Sequence, residues 1–190
     1  MTHQTRPCSI RSLCIAMGVV CLLSGCATAV SSNGPKQDSP EDAAAAYTRL
    51  GKAYLAENNL PRAQQALEHA LDLDANDSGA LEGLALLYQR QQEFDLADGF
   101  FQQALKADSE ATRIRNNYAA LLYQRGEYAK ACEQLRIASG DITYTNRAQL
   151  FANLGQCEMT NGDTAAARRH YERALDIDAR NGRSLLALAR

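Results

Sequence analysis

The 190-residue chain has no tryptophan, four prolines, three histidines and an aromatic content of only 6%. Little histidine leaves little for acid–base work or metal ligation. Beyond residue 25 only His69 and His170 remain, and both read as solvated or lightly packed residues of helical segments. There is no glycine-rich phosphate loop, nucleophile elbow or metal-ligand spacing. Asp72/Asp74 and Asp176/Asp178 recur as helix-end or loop residues rather than as an acid–base pair. Hence no catalytic residue, cofactor, metal or small-molecule substrate is expected. Concentrated positive charge is missing as well: after residue 25 the chain carries 18 basic and 22 acidic residues, which gives no reason to expect nucleic-acid binding. Finally, no apolar run reaches the roughly 20 residues needed to cross a bilayer as a helix. Alanine and leucine are plentiful, as in closely packed helices, and the expected fold class is all-α.

The one apolar run near the start, Leu13–Leu23, "LCIAMGVVCLL", follows Arg6 and Arg11 and fits the central stretch of an export signal. It ends in Leu23-Ser24-Gly25-Cys26 and resembles the bacterial lipoprotein signal, in which small residues precede the cysteine that is lipidated and becomes the first mature residue. The resemblance implies a signal peptide over 1–25, a lipid on Cys26 as the link to the membrane, and a tether over 26–41 without apolar periodicity. Ala27 stands where an aspartate would suggest inner-membrane retention. The implied location is therefore the outer membrane, lipid-anchored and facing the periplasm. Of six cysteines, only Cys132 and Cys157 then keep free sulfur. An oxidising periplasm permits a disulfide between them; the alternative is two small buried apolar residues.

From Ala44 the chain repeats itself. Gly51, Ala85, Ala119 and Gly155 align at spacings of 34, 34 and 36 residues. Around them, bulky residues recur at positions 4, 7, 11 and 24 of each unit and small ones at 8, 20 and 27, the pattern of the helix-turn-helix tetratricopeptide repeat (TPR). Four units follow, 44–77, 78–111, 112–145 and 148–181, with 182–190 beginning an incomplete fifth. The exceptions are Arg115 and Glu158. Small residues let the two helices of a unit approach closely, and each unit leaves an apolar face that the next one covers. The expected architecture is a right-handed superhelix of antiparallel helix pairs. Turns are expected at Asn58-Asn59, Gly126 and Gly162, and a longer loop between units three and four. The usual proline near position 32 is replaced by Ala75, Ser109, Thr143 and Ala179.

Such a superhelix has a concave groove, which in this family is lined by positions 2, 5, 6, 9, 12 and 13 of each first helix. Those positions supply an apolar row of Leu55, Leu86, Tyr123 and Met159, edged by Arg49, Lys52, Gln89, Arg90, Arg113, Asn117 and Asn153. Apolar residues edged by cations and amides suit a peptide, so these are the candidate partner-binding residues. The asparagines partly resemble the carboxylate-clamp TPRs, but Thr48 stands where that clamp has lysine, and its function is not carried over.

Taken together, the lipoprotein signal, the tether, "NNYAALLYQRGEYAKA" at Asn116–Ala131 and the run from Tyr144 to Gly155 resemble the type IV pilus biogenesis/stability lipoproteins of the PilF/PilW group. That resemblance implies a non-enzymatic pilotin: an outer-membrane TPR lipoprotein that binds the secretin subunit and promotes its localisation and multimerisation. The family normally has about six units, so a missing C-terminal part is expected. Two alternatives stay open, an adaptor for peptidoglycan hydrolases or outer-membrane assembly, and the regulatory part of an enzyme continuing beyond Arg190.

Overall fold

The computed structural model describes residues 39–189; the expected signal segment, Cys26 and the tether up to residue 38 lie outside the described residues. All regular structure among the described residues is helical: α1 (Pro40–Ala56), α2 (Leu60–Leu73), α3 (Ser78–Arg90), α4 (Phe94–Ala107), α5 (Thr112–Gln124), α6 (Tyr128–Ala138), α7 (Arg147–Thr160), α8 (Thr164–Ile177) and α9 (Gly182–Leu188). Each odd helix packs on the even helix that follows it. Successive pairs stack through α2–α3, α4–α5, α6–α7 and α8–α9.

Local chemistry sets the helix ends. Ser39 accepts from the Asp42 amide while the Asp42 carboxylate accepts from the Ser39 amide, a reciprocal cap reinforced by Pro40 in the first turn. The first helix thus starts four residues ahead of Ala44, and Pro40 and Glu41, read from the sequence as tether, belong to it. Asn59, Asp77, Asp163 and Asn181 cap α2, α3, α8 and α9 by a single bond each, the side-chain oxygen accepting from an amide of the first turn. Between the helices of every unit the chain turns through one residue with positive φ: Asn58 at 57°, Gln92 at 65°, Gly126 at 80° and Gly162 at 94°. Each turn repeats a pair of bonds in which the next amide reaches back across the helix end, as from Asn59 to the Tyr54 carbonyl (2.8 Å) and from Glu127 to Leu122 (2.8 Å). Asparagine and glycine accept this conformation readily, but glutamine does not, so the second turn carried no signal in the sequence.

The small positions are buried in all four units, as the spacing predicts. Gly51 and Gly83 show why. A Cβ on Gly51 would lie 2.5 Å from Leu67 Cγ, and one on Gly83 would lie 2.6 Å from Leu67 Cδ2. Leu67 of α2 is thus held between backbone of its own unit and backbone of the next, and it is fully buried. Two further positions contribute to the core: Ala80, Ile114 and Leu150 at the third residue of units two to four, and Leu87, Leu121 and Cys157 at the tenth. Their counterparts in the first unit, Ala46 and Ala53, are small and exposed, and Tyr47 and Leu50 are 37% and 41% exposed. These side chains meet the preceding helix pair where there is one.

The two sequence exceptions find polar partners. Arg115 donates to Gln134 Oε1 (2.8 Å) and to the Ser109 carbonyl (2.7 Å). Glu158 is buried and accepts from Arg136 Nη2 at 2.7 Å. The array is irregular at one junction. Helix α6 stops at Ala138, a turn earlier than α2, α4 and α8 do in their units, and a long loop leads to Arg147. First helices touch most closely at α1–α3 and more sparsely at α3–α5 and α7–α9, while α5 and α7 meet mainly through side chains.

Candidate partner-binding groove

The floor of the groove is an internal charge cluster. Glu82 of α3 is 0% exposed and accepts from Lys52 Nζ of α1 (3.0 Å), Asn117 Nδ2 of α5 (2.8 Å) and Arg113 Nη1 of α5. A carboxylate taken out of water costs several kcal/mol unless paired and hydrogen-bonded, and donors on the two flanking first helices supply both. Burial, with the Arg113 guanidinium adding to it, pulls the Lys52 ammonium down to about 8, so it still carries its charge at neutral pH. Burial likewise pulls Arg113 down from its usual value.

This cluster reassigns several residues expected to meet a partner. Lys52, Arg113 and Asn117 are engaged by Glu82. Leu55 is buried in a core cluster with Ala63, Leu67, Ala80, Leu84 and Leu87, so the apolar row does not begin there. Arg90 Nη1 donates to the Leu55 carbonyl, tying the end of α3 to the end of α1. Leu86, Gln89 and Arg90 line one side of a shallow recess whose other wall includes Gln124, and Gln89 Nε2 donates to Gln124 Oε1 at 3.0 Å. Arg49 and Met159 are exposed and stand outside that recess and outside the pocket below.

The larger opening, about 640 Å³, lies where α5 and α7 draw apart. Tyr123 and Asn153, both expected groove residues, line it with Asn116, Gln149, Gln156 and Arg183. Polar side chains bridge the gap between the helices. Asn153 Nδ2 donates to Asn116 Oδ1 (3.0 Å), and Tyr123 and Thr160 share a hydroxyl bond at 2.7 Å. Asn153 Oδ1 accepts from both Gln149 Nε2 (2.8 Å) and Arg183 Nη1 (2.7 Å). Among the described residues, no acidic side chain lines this pocket.

Sequence reasoning passed over Glu82 and Arg183. Glu82 had a signal: it is the sole acid at the six groove positions of the four units. Arg183 had one too, as the second residue of the unit that begins at Gly182, the groove position that Arg113 fills in the third unit.

Cys132 of α6 and Cys157 of α7 are joined by a disulfide with a Cα–Cα distance of 5.5 Å. Cys157 holds the tenth-residue position that Leu87 and Leu121 fill in the preceding units, and α6 provides Leu135 to the same pocket. The covalent link therefore spans the junction at which first-helix packing lapses. Among the described residues no group of three or more His, Cys, Asp and Glu could hold a metal ion, and no helix is long and apolar enough to cross a membrane.

Stacked helix pairs around a groove of amides and cations define a repeat scaffold of the kind that presents a surface to other proteins. A tetratricopeptide-repeat profile matches residues 82–141, and another matches 44–77 and again 148–181. The chain belongs to the tetratricopeptide-repeat family. It is 35% identical over 157 residues to the type IV pilus assembly protein PilF of Pseudomonas aeruginosa, a match covering 82% of this chain and 62% of that protein. In three dimensions it is similar to the solved structure of P. aeruginosa PilF, with a TM-score of 0.76 and 33% identity over 79% of this chain and 68% of that one. It is also similar to PilW, described as a widely conserved type IV pilus biogenesis factor, with a TM-score of 0.70 and 25% identity over 74% and 64% of the two chains. The chain spans less than two thirds of the PilF sequence it matches.

Proposed function

We propose that this protein is a non-enzymatic assembly factor for type IV pili, which holds a subunit of the pilus machinery in its groove. The secretin subunit is the partner this reading names. The protein would sit at the outer membrane, facing the periplasm on a lipid carried by Cys26, and promote localisation and multimerisation of the secretin there. The observation that carries the reading is the similarity to PilF, which covers 82% of this chain and is matched in three dimensions. The groove supports it, because the pocket between α5 and α7 is lined by residues able to hold a peptide. A lipid anchor would add an address: a partner held on an anchored scaffold meets the bilayer at high effective concentration.

Deleting the gene and assaying secretin multimers in outer-membrane fractions, together with surface piliation, tests the proposal. Loss of multimers and pili is expected, and unchanged multimers with normal pili would overturn it. The location is tested separately. Cys26→Ser is expected to leave a folded protein absent from outer-membrane fractions, and persistence there would count against the anchor.

A further inference from the structure

The groove is cationic on a chain that is acidic overall. Its positions carry Arg49, Lys52, Arg90 and Arg113 against the single acid Glu82, with Arg183 joining them in the α5–α7 pocket. Lys52 and Arg113 share the single negative charge of Glu82, and Arg90 serves a backbone carbonyl. Arg183, like Arg49 and Arg90, forms no ion pair with a described residue, but of the three it alone lines the pocket, where its one described bond is to the neutral Asn153 amide. A guanidinium fork carries five donors and matches a carboxylate in two-point contact. Beside it stand amides with unused capacity: Asn116 Nδ2, Gln149 Oε1 and Gln156 Oε1 have no hydrogen-bond partner among the described residues. Donors and acceptors mixed on neutral side chains suit a peptide backbone, which offers both at every residue.

We infer that the α5–α7 pocket takes an extended segment of the partner protein by its backbone, and that an aspartate or glutamate side chain within the segment pairs with Arg183. The inference rests on the partner-binding reading above and specifies what the partner presents. An internal side chain fits better than a chain terminus. The recess of Leu86, Gln89 and Gln124 adjoins the pocket along α5, where Tyr123 lines one and Gln124 the other, so a segment that pairs with Arg183 has further surface to lie along. Asn153 is a positioning residue: its carboxamide oxygen holds the guanidinium at the pocket wall.

The test uses the full oxidised chain and short overlapping peptides covering the secretin subunit of the same organism, with binding read by fluorescence anisotropy. Each binding peptide is remade with single Asp→Asn or Glu→Gln changes and with an amidated C-terminus. One internal carboxylate-to-amide change is expected to weaken binding about tenfold, as is Arg183→Gln in the protein, the two together weakening it no further than either alone. Lys106→Gln, at the exposed end of α4 and off the groove, is expected to have little effect, and added salt to weaken wild type more than Arg183→Gln. Binding indifferent to Arg183→Gln and to every carboxylate change overturns the inference. So does binding that requires a free C-terminal carboxylate. If no peptide binds while the whole secretin subunit co-purifies with the chain, the inference falls and the proposed function stands. If the subunit itself is not retained, both fall.

Discussion

Lys52 Nζ lies 3.0 Å from Glu82 Oε2, joining the first helix of one unit to the buried carboxylate of the next. Arg113 and Asn117 reach the same carboxylate from the unit beyond, so three successive first helices are tied at one point. The side chains of Lys52 and Arg113 are 31% and 50% exposed and can rehydrate when left alone, whereas Glu82 is 0% exposed and cannot. The consequences of removing each partner are therefore unequal. Glu82→Gln is expected to cost about 1–2 kcal/mol, and the double change of Lys52 and Arg113 to Met about 3–5 kcal/mol. Urea unfolding measures both, and equal effects would contradict the account.

Identical glycine substitutions are expected to have opposite signs at two sites. Gly51→Ala places a methyl group against Leu67 and should destabilise by about 1–3 kcal/mol, outweighing alanine's better helix propensity. Gly99 lies within α4, where an added Cβ meets nothing within 4 Å, so Gly99→Ala should stabilise by up to about 1 kcal/mol. Thermal melting of the two variants decides.

The strained turn offers a third test. Gln92 holds a positive φ at the position where Gly126 and Gly162 serve later units. Gln92→Gly is expected to stabilise the chain by about 1 kcal/mol and Gly126→Ala to destabilise it by a similar amount. A Gln92→Gly variant that melts below wild type would argue against the strain.

Reduction of the Cys132–Cys157 disulfide releases a loop closed at a sequence separation of 25 residues. By the chain-entropy estimate this lowers stability by about 3 kcal/mol. Because the link spans the α6–α7 junction beside the pocket, the Cys132→Ala/Cys157→Ala variant should also show faster amide exchange in α7 than in α3. Uniform exchange across the two helices would contradict this.

His170 stacks on Phe151 with ring centroids 6.1 Å apart, and burial pulls its imidazole below the usual value. The folded chain therefore binds this proton less readily than the unfolded chain. The resulting stability is present above the ordinary histidine range and is lost as pH falls through the lowered value. Melting temperature should fall on acidification from about pH 7.5 to about pH 5.5, and His170→Gln should lessen that fall. An unaltered difference would exclude the histidine as its source.

The sequence by itself determined the helix pairs, their order and their small packing positions. Those depend on periodicity within one unit and on short-range caps: Gly51 and Ala63 read as small wherever they occur, and Asn58, Gly126 and Gly162 mark their turns locally. The candidate groove positions came from the resemblance to the repeat family. Only the tertiary structure decided what those positions do. Lys52, Glu82 and Arg113 follow one another at about thirty residues and meet because successive units stack, so cations that look available in a linear reading are already engaged by a buried carboxylate. Leu55, in the same repeat position as Tyr123, is buried because Leu84 and Leu87 of the following unit pack into the cluster it joins. The pocket with Arg183 lies between α5 and α7, at the same junction where α6 ends early and a long loop intervenes. Periodicity within a unit is written in the chain; charge pairing and pocket volume arise between units, where distance in sequence carries no information about distance in space.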